Sequence, residues 1–280
     1  MIAVNIQGGL GNQMFEYAFA YATAQRLHTG FVLDNSASFV VPKYFKTPCW
    51  DVLVNKVPIV RRWYRDKVRG LKEQAYKDWT DCWQDYAMEG EIQNGAYYDG
   101  FFQSKSYFAN EEVRIRRMFA IRKKYEERFE KKYGRLYKKN KIIALHVRRT
   151  DYLTHGRGNN LGANDVSLPV EYYFNALQCI EGYEQYKIVV VGDDIAWMRR
   201  QFSDISNVIV AQNEMIVDFQ LLMNADVVIC SNGTFAWWAA YLNAKKHKRV
   251  IAPKYFLGYR VKKEFPKGIY RETHFQEIEW

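Results

Sequence analysis

Between residues 141 and 252 short apolar runs alternate with stretches of helical period, and this alternation narrows the fold more than any other feature. The runs are IIAL (142–145), KIVVV (187–191), VIV (208–210), VVIC (227–230) and VI (250–251). They lack the in–out alternation of a half-exposed strand and read as strands covered on both faces of a parallel sheet. Between them, Pro169 suits a first helical turn, and Val170, Phe174, Leu177 and Ile180 then share one helix face. Further helices are expected over residues 195–202, 215–224 and 235–246, the last ending on Lys245 and Lys246, where cations suit the helix dipole. Strands that alternate with helices make a doubly wound parallel sheet.

The chain starts the same way. A strand over residues 1–6 leads into GGLGNQ (8–13), a helix over 14–27 and a strand that ends at Asp34. Glycines in such a turn let backbone approach a ligand, and a helix N-terminus favours an anion. The turn is neither a Walker loop nor the G-x-G-x-x-G dinucleotide fingerprint. A plain tight turn is the other reading, although Asn12 and Gln13 put two amides where a ligand hydroxyl could be held. The expected architecture is two Rossmann-like α/β domains, 1–140 and 141–280, facing across a cleft. Residues 40–100 are poorly patterned: Trp50, Trp63, Trp79 and Trp83 lie among Arg61, Arg62, Arg65, Lys67, Arg69 and Lys72. Short helices and loops are expected there. An amphipathic helix is expected over 111–132, and 154–165, rich in Gly and Asn, reads as a mobile loop.

Three strands of the second half end in polar clusters: His146, Arg148, Arg149 and Asp151; Asp193 and Asp194; Ser231, Asn232 and Thr234. In an open α/β sheet, ligands bind beyond the carboxyl ends of the strands. Guanidinium forks suit phosphate, carboxylates accept from ribose or base donors, and hydroxyls at a helix start add phosphate donors. Asp-x-Asp, the usual diphosphate–metal ligand pair, does not occur in the sequence. The chemistry expected is a nucleotide-diphosphate site held by arginine, without metal. A net charge of +10 agrees with an anionic partner but does not choose one. Cys49, Cys82, Cys179 and Cys230 show no zinc or redox spacing. With no basic leader ahead of the first strand and no apolar run of spanning length, the expected compartment is the cytoplasm.

GGLGNQMFEYA, HVRRTDY and SNGTFAWWAAYL, in this order and register, resemble the motifs of the family 11 glycosyltransferases, the α1,2-fucosyltransferases. Two positions depart from the family pattern: Gly233, where Ser is usual, and Gly192, where a small hydroxyl residue often precedes the Asp pair. The resemblance implies a GT-B fold and inverting, metal-independent transfer of L-fucose from GDP-fucose to the 2-hydroxyl of a terminal galactose. Arg148 and Arg149 would bind the pyrophosphate, and His146 and Asp218 the guanine. Asp193 would reach the ribose or nearby. Ser231, Asn232 and Thr234, with Phe235 beside them, would hold the donor, and Gly11, Asn12 and Gln13 would lie over the fucose.

Departure of GDP builds negative charge that arginine stabilises, and the acceptor hydroxyl must lose a proton. Asp151 is the best-placed base by motif, with orientation of an arginine as its alternative role. Asn12 could assist without a strong base, and His155 is a further candidate. Two other functions fit the composition, a basic nucleic-acid-binding protein and a non-catalytic nucleotide-sugar sensor. The acceptor expected is a galactose-terminated oligosaccharide, with no nucleic acid as partner. The basic stretches at 61–72 and 114–141 would give weak electrostatic contact with the inner membrane face, or serve solubility alone.

Overall fold

The computed structural model describes residues 1–35, 38–48, 57–72, 75–77 and 92–280, so Cys49, Trp50, Trp79, Cys82 and Trp83 lie outside the described residues. The chain forms two compact units, 1–122 with 266–272, and 123–265 with 273–280.

The first unit holds a four-stranded parallel sheet of β1 (Ile2–Asn5), β2 (Phe31–Asp34), β3 (Ala75–Lys77) and β4 (Tyr97–Asp99), in the order β2-β1-β4-β3. Register sets its two faces, because side chains alternate along a strand. Ala3 pairs with Val32 and Tyr97, and this row is covered by Val68 and Leu71 of α2 (Pro58–Lys72). Val4 pairs with Leu33 and Tyr98 on the other face, where Tyr98 meets Phe19 of α1 (Leu10–Arg26) edge-on at 5.3 Å. Phe19 also stacks on Phe102 at 3.7 Å, so α1 is buried along nearly its whole length. Gly8 enters this helix at φ +68°, and a Cβ there would lie 2.5 Å from Asn12 Nδ2. The left-handed backbone is what calls for glycine here, since the Asn12 amide is the end of a side chain that can move aside.

The helix expected over 111–132 is broken. Helix α3 (Glu112–Met118) stops, and α4 (Lys123–Phe129) begins after an extended link. In that link Ile121 bridges to Phe45, with Lys46 N–H donating to Ala120 O and Arg122 N–H to Tyr44 O. Periodicity continues on both sides of the break, so the sequence hides it, and the units divide there instead of at 140/141. A π-helical turn (Glu130–Gly134) and α5 (Arg135–Lys139) follow within the second unit.

The second unit is a six-stranded parallel sheet in the order β10-β9-β8-β5-β6-β7. Its strands are β5 (Ile142–Val147), β6 (Lys187–Gly192), β7 (Val208–Val210), β8 (Val227–Ile229), β9 (Arg249–Pro253) and β10 (Gln276–Ile278). All six residues of central β5 are buried. On one face Ile143, Leu145 and Val147 pack with Ile188, Val190, Val227 and Ile229 beneath α6 (Val170–Gln178) and α7 (Ile195–Gln201). Helices α8 (Met215–Met223) and α9 (Thr234–Leu242) complete the unit. Helix α9 ends at Leu242, short of the lysines expected to close it, because Asn243 turns to accept Lys245 N–H through Oδ1. Strand β10 was not expected: two of its three residues are exposed, so it carries no apolar run.

Candidate active site

The three polar strand ends are neighbours, since β5 pairs with β6 on one side and β8 on the other. Strand order reverses between β5 and β8, which makes their carboxyl ends the topological switch point of this sheet.

Strand alternation turns His146 away from Leu145 and Val147. Its ring lies 5.4 Å from Phe235, and Nδ1 is 2.6 Å from Ser231 Oγ. Burial holds its pKa down at about 4, against an opposing pull from Asp193 and with help from Arg148. The imidazole is therefore neutral at physiological pH and can offer a hydrogen bond but no charge.

The two arginines have different surroundings. Arg148 keeps 40% of its side chain exposed while Nη2 donates to Asp151 at 2.7 Å and Nη1 lies 3.3 Å from Asp193. Its guanidinium also lies 5.5 Å from the Tyr152 ring centre. Arg149 faces inward: Nε donates to Asp194 at 3.2 Å and the guanidinium covers Trp197 at 5.0 Å. Asp151 therefore has the geometry of an orienting carboxylate for Arg148.

Asp193 and Asp194 point apart, as successive residues do. Asp193 accepts Arg149 N–H at 2.9 Å and Thr150 Oγ1–H at 2.8 Å, bracing the arginine loop from β6. Asp194 caps α7 by accepting Trp197 N–H at 3.0 Å. Gly192 just before them has no room for a side chain, since a Cβ would lie 2.4 Å from Val147 O and 3.0 Å from Met198 Sδ.

Beyond β8, Asn232 is fully buried; its Nδ2 donates to Val166 O at 2.7 Å and its Oδ1 has no hydrogen-bond partner. Tyr152 donates to Asn232 O at 3.1 Å, a link between the first and third clusters that the sequence reading missed. Gly233 is the N-cap of α9 with no side-chain cap bond, so the start of the helix faces this cluster with half-buried Thr234 and Phe235. Asp218 is not among the partners of His146. It accepts from Asn213 at 2.7 Å, burial raises its pKa, and its neighbour Phe219 meets Phe235 at 5.2 Å.

Gly11, Asn12 and Gln13 belong to the first unit. The Gln13 amide is used within its own surroundings, donating to Gly8 O and Ser38 O and accepting Val40 N–H at 2.8 Å. Asn12 accepts from Gln103 at 3.1 Å. Among the described residues no group of three or more His, Cys, Asp or Glu could hold a metal ion, and no helix is long and apolar enough to cross a membrane.

The family described as "Glycosyl transferase family 11" matches residues 1–273. The chain is 26% identical to the Escherichia coli O-antigen biosynthesis glycosyltransferase WbnK, with 90% of this chain and 94% of that protein covered. It is 24% identical to an E. coli alpha-1,2-colitosyltransferase, covering 90% and 91%. The bovine galactoside 2-alpha-L-fucosyltransferase SEC1 is 25% identical over 86% of this chain and 64% of its own. Among solved structures, fucosyltransferase NodZ from Bradyrhizobium superposes with a TM-score of 0.53 at 16% identity, covering 86% of this chain and 92% of NodZ. That likeness carries the fold, which is GT-B-like with two Rossmann-like α/β units.

Proposed function

The chain belongs to glycosyl transferase family 11, and from that membership we propose that it transfers L-fucose from GDP-fucose to the 2-hydroxyl of a terminal galactose, with inversion and without a metal. The observation that carries this reading is Arg148, half-exposed at the switch point of the second sheet, beside the start of α9. A guanidinium and a helix N-terminus together suit a diphosphate. The α1,2 linkage is common to the names of the colitosyl and several fucosyl relatives.

Arg148 stabilises the charge that grows on the β-phosphate as GDP departs. Asp151 and Asp193 hold it in place. Ser231 fixes the His146 tautomer through Nδ1, leaving the other ring nitrogen to read the base. Asn232, Thr234 and the α9 backbone line the phosphates, while Arg149 is anchored beside them by Asp194 and Trp197.

Incubation with GDP-fucose and lactose tests this, with GDP release followed and the product linkage read by NMR. Fucose on the galactose O2 is expected, undiminished by excess EDTA. Absence of transfer to any galactoside overturns the reading, and loss on chelation that Mg²⁺ or Mn²⁺ restores overturns its metal-free part. Preference for another activated deoxy sugar, as the colitosyl relative's name suggests, would keep the family and change the donor.

A membrane surface is the second partner. On α2, Ile59 is 82% and Trp63 51% exposed, one turn apart, and Lys67 lies 5.9 Å from the Trp63 ring. Exposed apolar residues on a basic helix suit an anionic lipid interface, where each basic residue adds about 1 kcal/mol that salt screens. Co-sedimentation with anionic vesicles at low salt, lost in Trp63→Ser, is expected; no binding to such vesicles removes this partner and leaves the transferase reading intact.

A further inference from the structure

The first sheet has its own switch point. Strand β2 lies to one side of β1 and β4 to the other, so strand order reverses between β1 and β4. Their last residues are Asn5 and Asp99, and both belong to a polar cluster within this one unit. Asn5 Nδ2 donates to Asp99 Oδ1 at 2.8 Å, and Gln7 Nε2 donates to the same oxygen at 3.3 Å. Asn5 is itself fixed by the Asn35 amide at 2.6 Å. Two amides thus converge on one oxygen of a half-buried carboxylate, and Oδ2 has no hydrogen-bond partner among the described residues.

Glu16 of α1 supplies a second, independent sign. Its side chain is fully buried; Oε2 accepts Gln7 N–H at 3.0 Å and Oε1 has no partner. A buried polar atom left unmade destabilises the fold, so its retention calls for a hydroxyl or water to answer it. Burial raises the Glu16 pKa to about 9, and the nearby Asp99 charge pushes the same way. The cluster therefore pairs a neutral carboxyl, able to donate, with a charged carboxylate and amides.

That mixture selects its ligand. Asp99, with Asp34 at the end of β2 on the far side of β1, opposes a phosphate. Hydroxyl groups, each donor and acceptor at once, match a carboxylate, a neutral carboxyl and two amides. We propose that Asn5, Gln7, Glu16 and Asp99 form a sugar-hydroxyl subsite, in which Asp99 Oδ2 accepts a hydroxyl of the galactoside acceptor. The assignment of that sugar as the acceptor rests on the fucosyltransferase reading.

The test measures sugar binding apart from turnover. Saturation-transfer NMR with methyl β-galactoside on the full chain, with GDP present, is compared between wild type and Asp99→Asn. Calorimetric GDP binding and thermal unfolding are run on both. Expected is a signal in wild type that falls at least tenfold in Asp99→Asn, a tenfold or larger rise in acceptor KM, and a GDP Kd within twofold of wild type. Glu16→Gln, nearly isosteric, carries the same comparison if Asp99→Asn does not fold, with a fall of threefold or more expected. An unchanged signal in the folded variant, or no galactoside signal from wild type, overturns the subsite. Failure of wild type to bind GDP or to transfer fucose, with the galactoside signal present and lost in the variant, overturns the function and leaves the subsite standing.

Discussion

The Nδ1 of His146 and the Oγ of Ser231 lie 2.6 Å apart, at the ends of the two strands between which the second sheet reverses its order. One hydrogen bond therefore ties these two strand ends together. It also sets the ring's tautomer: when Oγ donates to Nδ1 the second ring nitrogen is a donor, and when Oγ accepts from Nδ1 it is an acceptor. Ser231→Ala should weaken GDP binding about tenfold, the scale of losing one hydrogen bond. Calorimetry checks this, and an unchanged Kd would release Ser231 from the role.

Arg148→Ala should lower transfer by roughly a hundredfold or more, the cost of one preorganised donor to developing charge. Stability should barely change, since the side chain is 40% exposed. Arg149→Ala should lower both activity and the unfolding midpoint, because it also breaks the contacts with Asp194 and Trp197. Arg149→Lys should remain poor, as an ammonium cannot replace the fork. Kinetics and urea unfolding on the three variants separate these outcomes.

Asp151→Asn separates orientation from base catalysis. An orienting carboxylate that accepts Arg148 at 2.7 Å predicts a loss of about tenfold, an unchanged pH–rate profile and partial recovery in Asp151→Glu. Loss of several orders of magnitude together with the acidic limb of the profile would make Asp151 the base.

Gly192 and Gly233 should respond oppositely to serine. A Cβ at Gly192 would lie 2.4 Å from the Val147 carbonyl, so Gly192→Ser should cost about 1–3 kcal/mol. At Gly233 the nearest atom, Ser231 Oγ, is 3.5 Å away and the backbone is extended at φ −133°, so Gly233→Ser should fold normally. Chemical denaturation of both variants checks the contrast.

Glu16 and His146 give opposite pH slopes. The folded state keeps a proton on Glu16 up to about pH 9 that the unfolded chain loses near 4.5, so this contribution falls as pH rises between them. His146, held near 4, stays neutral in the fold while the unfolded chain takes up a proton below about 6.5, so its contribution falls as pH drops through that window. Above pH 6.5 Glu16 acts without this opposition. Wild type should lose up to about 1.4 kcal/mol per pH unit from 7 to 9, and Glu16→Gln should be nearly flat. Urea midpoints at the two pH values measure it.

The convergence of the three polar strand ends could be read from sequence because buried parallel strands announce themselves as unbroken apolar runs, and His146, Asp193 and Ser231 follow those runs directly. Asp99 could not. It ends a three-residue strand inside a stretch without period, and only the register of β4 beside β1 brings it to Asn5. The division of labour between Arg148 and Arg149 was equally hidden, since adjacent identical residues carry no sign of which one Asp194 and Trp197 will hold. The break before α4 depends on pairing between Phe45 and Ile121, far apart in the chain, which helical period cannot register.

Residues 266–272 belong to the first unit, while the residues on both sides of them belong to the second. Within that first unit, Ser104 Oγ donates to Gly268 O at 3.3 Å in a buried bond, and Lys105 Nζ donates to Glu272 O at 3.2 Å. During synthesis the first unit therefore stays incomplete until residues 266–272 have been made. Expression of residues 1–122 alone would leave these two bonds unmade, and a carboxy-terminal truncation before residue 266 would injure the unit made first.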